Sequence, residues 1–218
     1  MDIVTIDGPA GSGKSVCAAA LARRLAWRKL DTGAMYRSLA LFASWRGVDP
    51  EDGETLATLA SDLPLRFEGE RVLLDDRDVS TEIRSSEAGT MASRVSAHPA
   101  VRRALLPVQR RLASVQPCVA EGRDLGTVVF PDARAKFFLV AGPETRAARR
   151  LKDLRALGQD TSLEEVLKAQ RERDARDENR AVAPLRKAGD AIEIDTSDLT
   201  IEEVVERMYR HVIATLAH

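Results

Sequence analysis

Near the amino terminus of the chain stands the stretch Gly8-Pro9-Ala10-Gly11-Ser12-Gly13-Lys14-Ser15. It follows the apolar run 3–6, which favours a strand, and leads into an Ala- and Leu-rich pattern that favours a helix. Strand, glycine-rich loop, Lys, Ser and helix in this order predict a loop whose backbone N–H groups bind phosphate. The Lys14 ammonium suits the β- and γ-phosphates of a nucleotide, and the Ser15 hydroxyl suits Mg²⁺. The motif therefore predicts a nucleoside triphosphate site.

The composition indicates one globular α/β domain with room for an insertion in its 218 residues. The 33 basic and 34 acidic residues give a formal net charge of −1, so we expect neither a nucleic acid nor an anionic membrane as partner. No apolar run approaches the roughly 20 residues of a membrane span. The first strand begins too early to leave room for a signal peptide. We therefore expect a cytoplasmic protein.

The two cysteines, Cys17 and Cys118, lie far apart in the sequence and show no metal-ligand spacing. Cys17 shares a helix face with Leu21 and Leu25 at a spacing of four, and Cys118 opens an apolar run. We expect both thiols to pack in the core of a reduced protein.

Strand and helix patterns alternate along the rest of the chain. Apolar runs predict core strands near residues 3–6, 28–30, 117–120, 135–140 and 191–195. Five strands separated by helices predict an α/β fold, with a five-stranded parallel sheet flanked by helices on both faces. Short strand-like segments between residues 65 and 80, joined by tight turns, predict a small β-rich insertion.

Local signals fix several helix starts. The segments Ser162-Leu163-Glu164-Glu165 and Thr200-Ile201-Glu202-Glu203 both have the spacing of a capping box. Pro99 suits the first turn of a helix, because the amide that it lacks has no partner there. We therefore expect helices to begin at these three places.

Ligands of parallel α/β sheets bind at the carboxyl ends of the strands. This rule predicts that the phosphate loop, residues 31–37 and residues 121–124 share one rim. Arg37 and Arg123 follow strand ends there, and arginine suits a second phosphate because its planar fork bonds two oxygens at once. The block 171–180 holds four arginines and four acids. Its pattern fits a solvated helix face with surface ion pairs as well as it fits a ligand site.

Several segments, in this order along the chain, resemble the bacterial cytidylate kinases, a family of nucleoside monophosphate kinases. They are the phosphate loop, residues 30–37 (LDTGAMYR), residues 101–102 after Pro99, residues 121–127 (EGRDLGT) and residues 173–185. The resemblance covers nearly the whole chain. It implies a single P-loop kinase domain over residues 1–218, with a monophosphate-binding insertion at 63–85 and its adjoining helices to about 115, and a lid at about 142–160.

The resemblance also implies which residues bind the two substrates. Those that would hold ATP are Gly8, Pro9, Ala10, Gly11, Ser12, Gly13, Lys14, Ser15 and Val16, together with Arg149 and Arg150 of the lid. Those that would bind the acceptor are Thr32, Tyr36, Arg37, Ser93, Arg102, Arg123, Asp124, Arg173, Asp177 and Arg180. Among the residues of both sets, the resemblance gives a catalytic role to Lys14, Arg123 and Arg180. It also implies that Ser15 binds Mg²⁺.

Finer roles follow from the same resemblance. Arg37, Arg123 and Arg180 would grip the acceptor phosphate and the transferring phosphoryl group. Ser93, Arg102 and Asp124 match the family positions that read the cytosine edge, and Arg173 and Asp177 match those near the ribose. Taken without the resemblance, Ser93 is a typical helix-surface serine and Tyr36 a typical packing residue.

The implied function is the Mg²⁺-dependent transfer of the ATP γ-phosphoryl group to CMP or dCMP, in pyrimidine nucleotide metabolism, by a monomer. Two other interpretations of the phosphate loop stay open. One is a kinase for another monophosphate or for a small alcohol. The other is a GTPase-like switch, although the chain has no N-K-x-D segment to read guanine.

Overall fold

The computed structural model describes residues 2–69 and 71–217; residues 1, 70 and 218, which the predicted ranges include, lie outside the described part. The chain divides into two compact units. The first unit contains the described residues up to 31 and from 110 onward, and the second contains residues 32–109.

The strands and helices follow one another closely. In chain order, the strands are β1 (Ile3–Asp7), β2 (Arg28–Asp31), β3 (Leu65–Glu68), β4 (Arg71–Leu74), β5 (Arg77–Asp78), β6 (Cys118–Glu121), β7 (Ala135–Val140) and β8 (Ile192–Asp195). The helices are α1 (Lys14–Leu25), α2 (Thr32–Trp45), α3 (Gly53–Ser61), α4 (Ser86–Val95), α5 (Pro99–Ala113), α6 (Pro143–Ala156), α7 (Leu163–Glu178) and α8 (Ile201–Leu216). No helix of the described residues is both long enough and apolar enough to span a bilayer.

The first unit is built on a five-stranded sheet in the order β2-β6-β1-β7-β8, with every pair parallel. Strand β1 is central, and its Ile6 pairs with Glu121 of β6 and with Phe137 of β7. The predicted parallel sheet is thus confirmed. Because β1 and β6 are neighbours in register, the loops that follow them leave the same edge of the sheet.

The core of the first unit packs α1 and α8 against the central strands. Ile6, Leu21 and Met208 are fully buried there, and Cys17 lies among them. Cys118 is buried in β6. Burial raises the pKa of each thiol to about 11. The prediction that both cysteines are core residues is confirmed.

The second unit contains the small sheet β3-β4-β5, whose strands pair antiparallel. Phe42 of α2 packs with Val72, Leu74 and Ile83 in its apolar core. The predicted β-rich insertion is confirmed.

The predicted helix starts are confirmed as well. The side chains of Ser162 and Thr200 each accept a hydrogen bond from the third backbone amide of their helix, and Glu165 and Glu203 complete the two capping boxes. Pro99 is the first residue of α5. A π-helical turn at Leu125–Val129 was not predicted from the sequence.

Candidate functional site

The glycine-rich loop joins β1 to α1 and curls tightly. Gly8 has a φ of +143°, and a Cβ atom there would lie 2.1 Å from the carbonyl oxygen of Leu139. Only glycine avoids both the backbone strain and the collision. The predicted phosphate-loop residues 8–13 connect β1 directly to α1, and Lys14, Ser15 and Val16 begin α1, where helix N-termini favour anions.

The Lys14 side chain folds back over this loop. Its Nζ donates to the carbonyl oxygen of Pro9 at 2.5 Å and to Oγ of Ser12 at 3.3 Å. Burial lowers the pKa of Lys14 well below its ordinary value, and the nearby Arg123 guanidinium lowers it further. The loop thus holds the buried Lys14 amine through its own polar groups.

Glu121 is a site residue to which the sequence analysis assigned no role. It ends β6, is 4% exposed, and accepts a 2.5 Å hydrogen bond at Oε2 from Oγ of Ser15. Lys29 Nζ lies 3.0 Å from its other oxygen. An acidic residue that ends the strand beside β1 was the available signal, because P-loop proteins place a metal-binding carboxylate at that position.

The loop after β6 is fixed to the end of β1. The backbone amides of Leu125 and Gly126 donate to the two carboxylate oxygens of Asp7, at 2.9 and 2.8 Å. The amide of Gly122 donates to the carbonyl of Ile6 at 3.0 Å. Burial raises the pKa of Asp7 to about 6. These contacts hold the segment that carries the predicted residues Arg123 and Asp124.

Three of the predicted arginines surround one carboxylate, that of Asp177 on α7. Nε of Arg123 lies 3.2 Å and Nε of Arg173 4.0 Å from Oδ2, and Nη2 of Arg180 lies 3.8 Å from Oδ1. Burial raises the pKa of this carboxyl, but the guanidinium groups outweigh burial and hold that pKa below its ordinary value. The structure therefore brings these four predicted residues together.

The block 171–180 is not a simple solvated face. Asp174, Asp177 and Arg180 are buried, whereas Arg171 and Glu172 are exposed. The alternative interpretation as a helix with surface ion pairs is therefore wrong for the inward side of α7.

The two predicted lid arginines lie on α6. Arg149 donates from Nη1 to Oγ1 of Thr196 at 3.0 Å and from Nη2 to its carbonyl oxygen at 2.6 Å. Thr196 in turn donates from Oγ1 to the carbonyl of Ser12 in the phosphate loop, at 3.1 Å. Arg149 is thus connected to the loop through Thr196, which follows β8 and which sequence reasoning missed. Arg150 is next on the helix and is partly exposed.

The remaining predicted residues lie in the second unit. Thr32, Tyr36 and Arg37 occupy the first turns of α2. The Arg102 guanidinium carbon lies 5.4 Å from the centre of the Tyr36 ring, and Gln109 donates to the Tyr36 hydroxyl at 3.3 Å. The Tyr36 ring therefore faces the Arg102 cation, an interaction with a more defined geometry than apolar packing.

Ser93 and Arg102 are connected through Ser96. Nη1 of Arg102 donates to the carbonyl of Ser96 at 3.3 Å, and Oγ of Ser96 donates to the carbonyl of Ser93 at 3.1 Å. Ser93 is 3% exposed, so its interpretation as a helix-surface serine is wrong.

Comparison with known proteins identifies the family. The family model described as cytidylate kinase matches residues 4–214. The cytidylate kinase of Methylococcus capsulatus is 50% identical in an alignment of 207 positions that covers 94% of this chain and 93% of that protein. The cytidylate kinase of Vibrio parahaemolyticus is 48% identical in an alignment of 219 positions that covers 99% of this chain and 97% of that protein.

A solved structure supports the fold separately. A crystal structure of a protein from Eubacterium ventriosum aligns with a TM-score of 0.53 at 14% identity, covering 98% of each chain. At that identity the likeness concerns the fold alone. The family model and the two relatives cover nearly the whole sequence, and the chain therefore belongs to the cytidylate kinase family.

Proposed function

We propose that this chain transfers the γ-phosphoryl group of ATP to the 5′-phosphate of CMP or dCMP, giving ADP and CDP or dCDP. The observation that carries the proposal is that one unit holds both the Lys14 phosphate loop and three arginines around Asp177. Many nucleotide-binding proteins have a phosphate loop, whereas a second set of guanidinium groups suits a second anionic substrate. Membership of the cytidylate kinase family supports CMP or dCMP as that substrate.

The chemical step needs no nucleophile from the protein. An oxygen of the CMP phosphate forms a bond to the γ-phosphorus of ATP while the bond from that phosphorus to the β–γ bridging oxygen breaks. The electron pair of the broken bond leaves with ADP. The acceptor oxygen is already anionic near neutral pH, so the protein mainly has to position two anions and offset their repulsion.

Separate cations serve the two substrates. Lys14 offsets charge on the β- and γ-phosphates, and Arg149 and Arg150 approach the same ATP phosphates. Arg123 and Arg180 stabilise the charge on the transferring group and on the acceptor phosphate, which is where charge develops in the transition state. Arg37, on the second unit, adds to the grip on the acceptor phosphate.

The residues beside Ser15 fit Mg²⁺. The Ser15 hydroxyl and the Glu121 carboxylate are hard oxygen donors, and Mg²⁺ prefers one or two such protein ligands together with substrate phosphates. These two residues would hold the ion, which, when bound, neutralises charge on the β- and γ-phosphate oxygens. In the described part of the chain, no cluster of three or more His, Cys, Asp or Glu side chains is arranged to bind a metal.

Base and sugar recognition rests on other residues. Ser93 and Arg102, which share the contact with Ser96, read the cytosine edge together with Asp124. Arg173 and Asp177 bind the ribose, and their spacing of four residues places both on one face of α7. Thr32 and Tyr36 complete the acceptor set.

The proposal also covers the lid and the insertion, the oligomeric state and the cellular compartment. Residues at about 142–160 act as a lid, whose closure would exclude water that otherwise accepts the phosphoryl group. Residues 63–85 and the helices to about 115 act as the monophosphate-binding insertion. The protein works as a monomer in the cytoplasm, in pyrimidine nucleotide metabolism. Its two free thiols support a reducing compartment.

A coupled ADP-release assay tests the proposal. It contains ATP, Mg²⁺ and, in turn, CMP, dCMP, UMP, AMP and GMP. We expect strong stimulation by CMP and dCMP over the other acceptors. Equal, weak release with every acceptor would overturn the kinase assignment, and slow acceptor-independent GTP hydrolysis with tight GTP retention would support a switch instead.

A further inference from the structure

Arg146 is a buried arginine that the sequence did not assign to the site. It lies in the second turn of α6 and is 7% exposed. Its Nε donates to the carbonyl oxygen of Ala141 at 3.1 Å. Its Nη1 donates both to the carbonyl oxygen of Ala10, at 3.0 Å, and to Oδ2 of Asp174, at 2.7 Å. One guanidinium nitrogen therefore bridges the phosphate loop and α7.

The phosphate loop also packs directly on these helices. A Cβ atom on Gly11 would lie 3.0 Å from Cβ of Arg146 and 3.0 Å from Nε2 of Gln170. Gln170 donates from that nitrogen to the carbonyl oxygen of Arg146 at 3.2 Å. A methyl group would fit there only if these neighbours moved by a few tenths of an ångström, so the loop packs closely against α6 and α7 and is sensitive to a shift of either helix.

Helix α7 carries both Asp174, which pairs with Arg146, and Asp177, around which the three arginines gather. Asp174 follows Arg173 directly and precedes Asp177 by three residues, less than one helical turn. The contacts from Ala10 through Arg146 thus end at Asp174, and the backbone of α7 joins Asp174 to Asp177, whose carboxylate gathers the arginines. All of these groups are buried or partly buried, so the ion pair is weakly screened by solvent.

We infer that Arg146 is a positioning residue that couples the phosphate loop to the arginine cluster around Asp177. Through Asp174 it fixes where the ATP phosphates lie relative to the guanidinium groups that receive the transferring phosphoryl group. The effect of Arg146 on turnover rests on the proposed function. Its effects on the binding of ATP and of CMP are measured separately from turnover. Arg146 acts through its contacts with Ala10 and Asp174.

The most direct test is Asp174→Asn, measured as the dissociation constant of ATP in the absence of acceptor. Asp174 lies on α7 and contacts Arg146 rather than the loop. The inference nevertheless predicts that ATP binds about tenfold more weakly to this variant, the size of a typical coupling through a shared network. CMP affinity, measured without a donor, is expected to fall when Arg146 is changed to Met.

Two further variants separate positioning from stability. Arg146→Lys keeps the charge and is expected to recover part of the ATP affinity that Arg146→Met loses. The double variant R146M/D174N is expected to bind ATP no more weakly than R146M, because both substitutions remove the same contact between Arg146 and Asp174. Additive losses would overturn the inference, and so would ATP and CMP affinities in folded D174N and R146M that match the unsubstituted protein.

Arg24→Met is the matched control. Arg24 forms an ion pair with Glu206 at 2.5 Å and lies over the Tyr209 ring, on the α1–α8 side of the same unit. We expect this change to lower the melting temperature without changing ATP or CMP affinity. If R146M does not fold, D174N and R146K decide the inference alone. Failure of CMP to stimulate ADP release by the unsubstituted protein would contradict the proposed function but not the predicted loss of ATP affinity.

Discussion

Ser15 and Glu121, 106 positions apart in the sequence, share a 2.5 Å hydrogen bond in which the serine hydroxyl donates to the carboxylate. Parallel pairing of β1 and β6 produces this contact, because Glu121 lies at the end of the strand beside the one that enters the phosphate loop. A hydroxyl that donates to a carboxylate keeps its lone pairs available for a cation. Glu121 therefore orients Ser15 for the metal role predicted from the sequence.

Glu121→Gln should weaken the use of Mg²⁺. The amide keeps the size of the side chain but removes its charge, and the Mg²⁺ concentration for half-maximal rate should rise about tenfold or more. The measurement is a Mg²⁺ titration of ADP release at fixed ATP and CMP. Glu193→Gln is the control, because Glu193 is exposed and pairs with Lys187 at the surface. Equal Mg²⁺ dependence in E121Q and the unsubstituted protein would contradict this role.

Arg123→Ala should abolish most turnover and leave the fold intact. The guanidinium is partly exposed and pairs with Asp177, so its loss removes charge stabilisation without opening the core. We expect kcat to fall about a thousandfold, as for other arginines that stabilise a transferring phosphoryl group. Arg123→Lys should recover part of the rate. Arg134→Ala, which removes a surface ion pair with Asp2, should have none of this effect. A folded R123A enzyme with normal kcat would refute the assignment.

Asp177→Asn should change two affinities in opposite directions. The carboxylate competes with phosphate for the three arginines, so inorganic phosphate should bind about tenfold more tightly, equivalent to roughly 1.4 kcal/mol. The KM for CMP should rise, because the proposed ribose contact is weakened. Calorimetric titration with phosphate and steady-state kinetics with CMP measure the two effects. The control is Asp153→Asn on the exposed face of α6. Weaker phosphate binding by D177N would show that Asp177 organises the arginines rather than competing for them.

Asp7 should make stability depend on pH in an unusual direction. Its folded pKa of about 6 lies above an unfolded value of about 4, so the folded protein holds this proton more tightly between those values. The contribution of Asp7 to stability is therefore greatest at low pH and decreases as pH rises through about 4 to 6.

Asp7→Asn removes this titration. Urea unfolding at several pH values should show the unfolding free energy of the unsubstituted protein, relative to D7N, decreasing by roughly 2 kcal/mol from about pH 4 to about pH 7. D7N should be less stable at pH 4, because its amide cannot accept from both Leu125 and Gly126. A difference that does not vary with pH would contradict the raised pKa.

Most of the sheet could be predicted from the sequence because its signals are local. The apolar run 135–140 is β7 residue for residue, and the capping boxes at Ser162 and Thr200 begin α7 and α8 as expected. The phosphate loop is equally local, since its glycines determine the turn wherever the strand and helix flank it. These elements need no knowledge of distant residues.

The inner organisation of the site could not be predicted in the same way. Asp177 meets Arg123 across 54 positions, and Thr196 meets Ser12 across 184, and no sequence period connects such pairs. The block 171–180 shows the difficulty, because its alternating charges are the same whether the helix faces water or a ligand. Contacts with distant residues, such as those of Asp177 with Arg123 and of Asp174 with Arg146, decide which of these charges turn inward.

The two buried thiols have a practical consequence for spectroscopy. Cys17 and Cys118 are the only cysteines, and with pKa values raised to about 11 by burial they remain protonated and unreactive in neutral buffer. A maleimide dye will therefore attach at a single introduced cysteine, such as Lys152→Cys on the exposed side of α6, without removal of the native pair. Fluorescence from that one label can follow α6 while nucleotides bind, in a protein whose core remains unaltered.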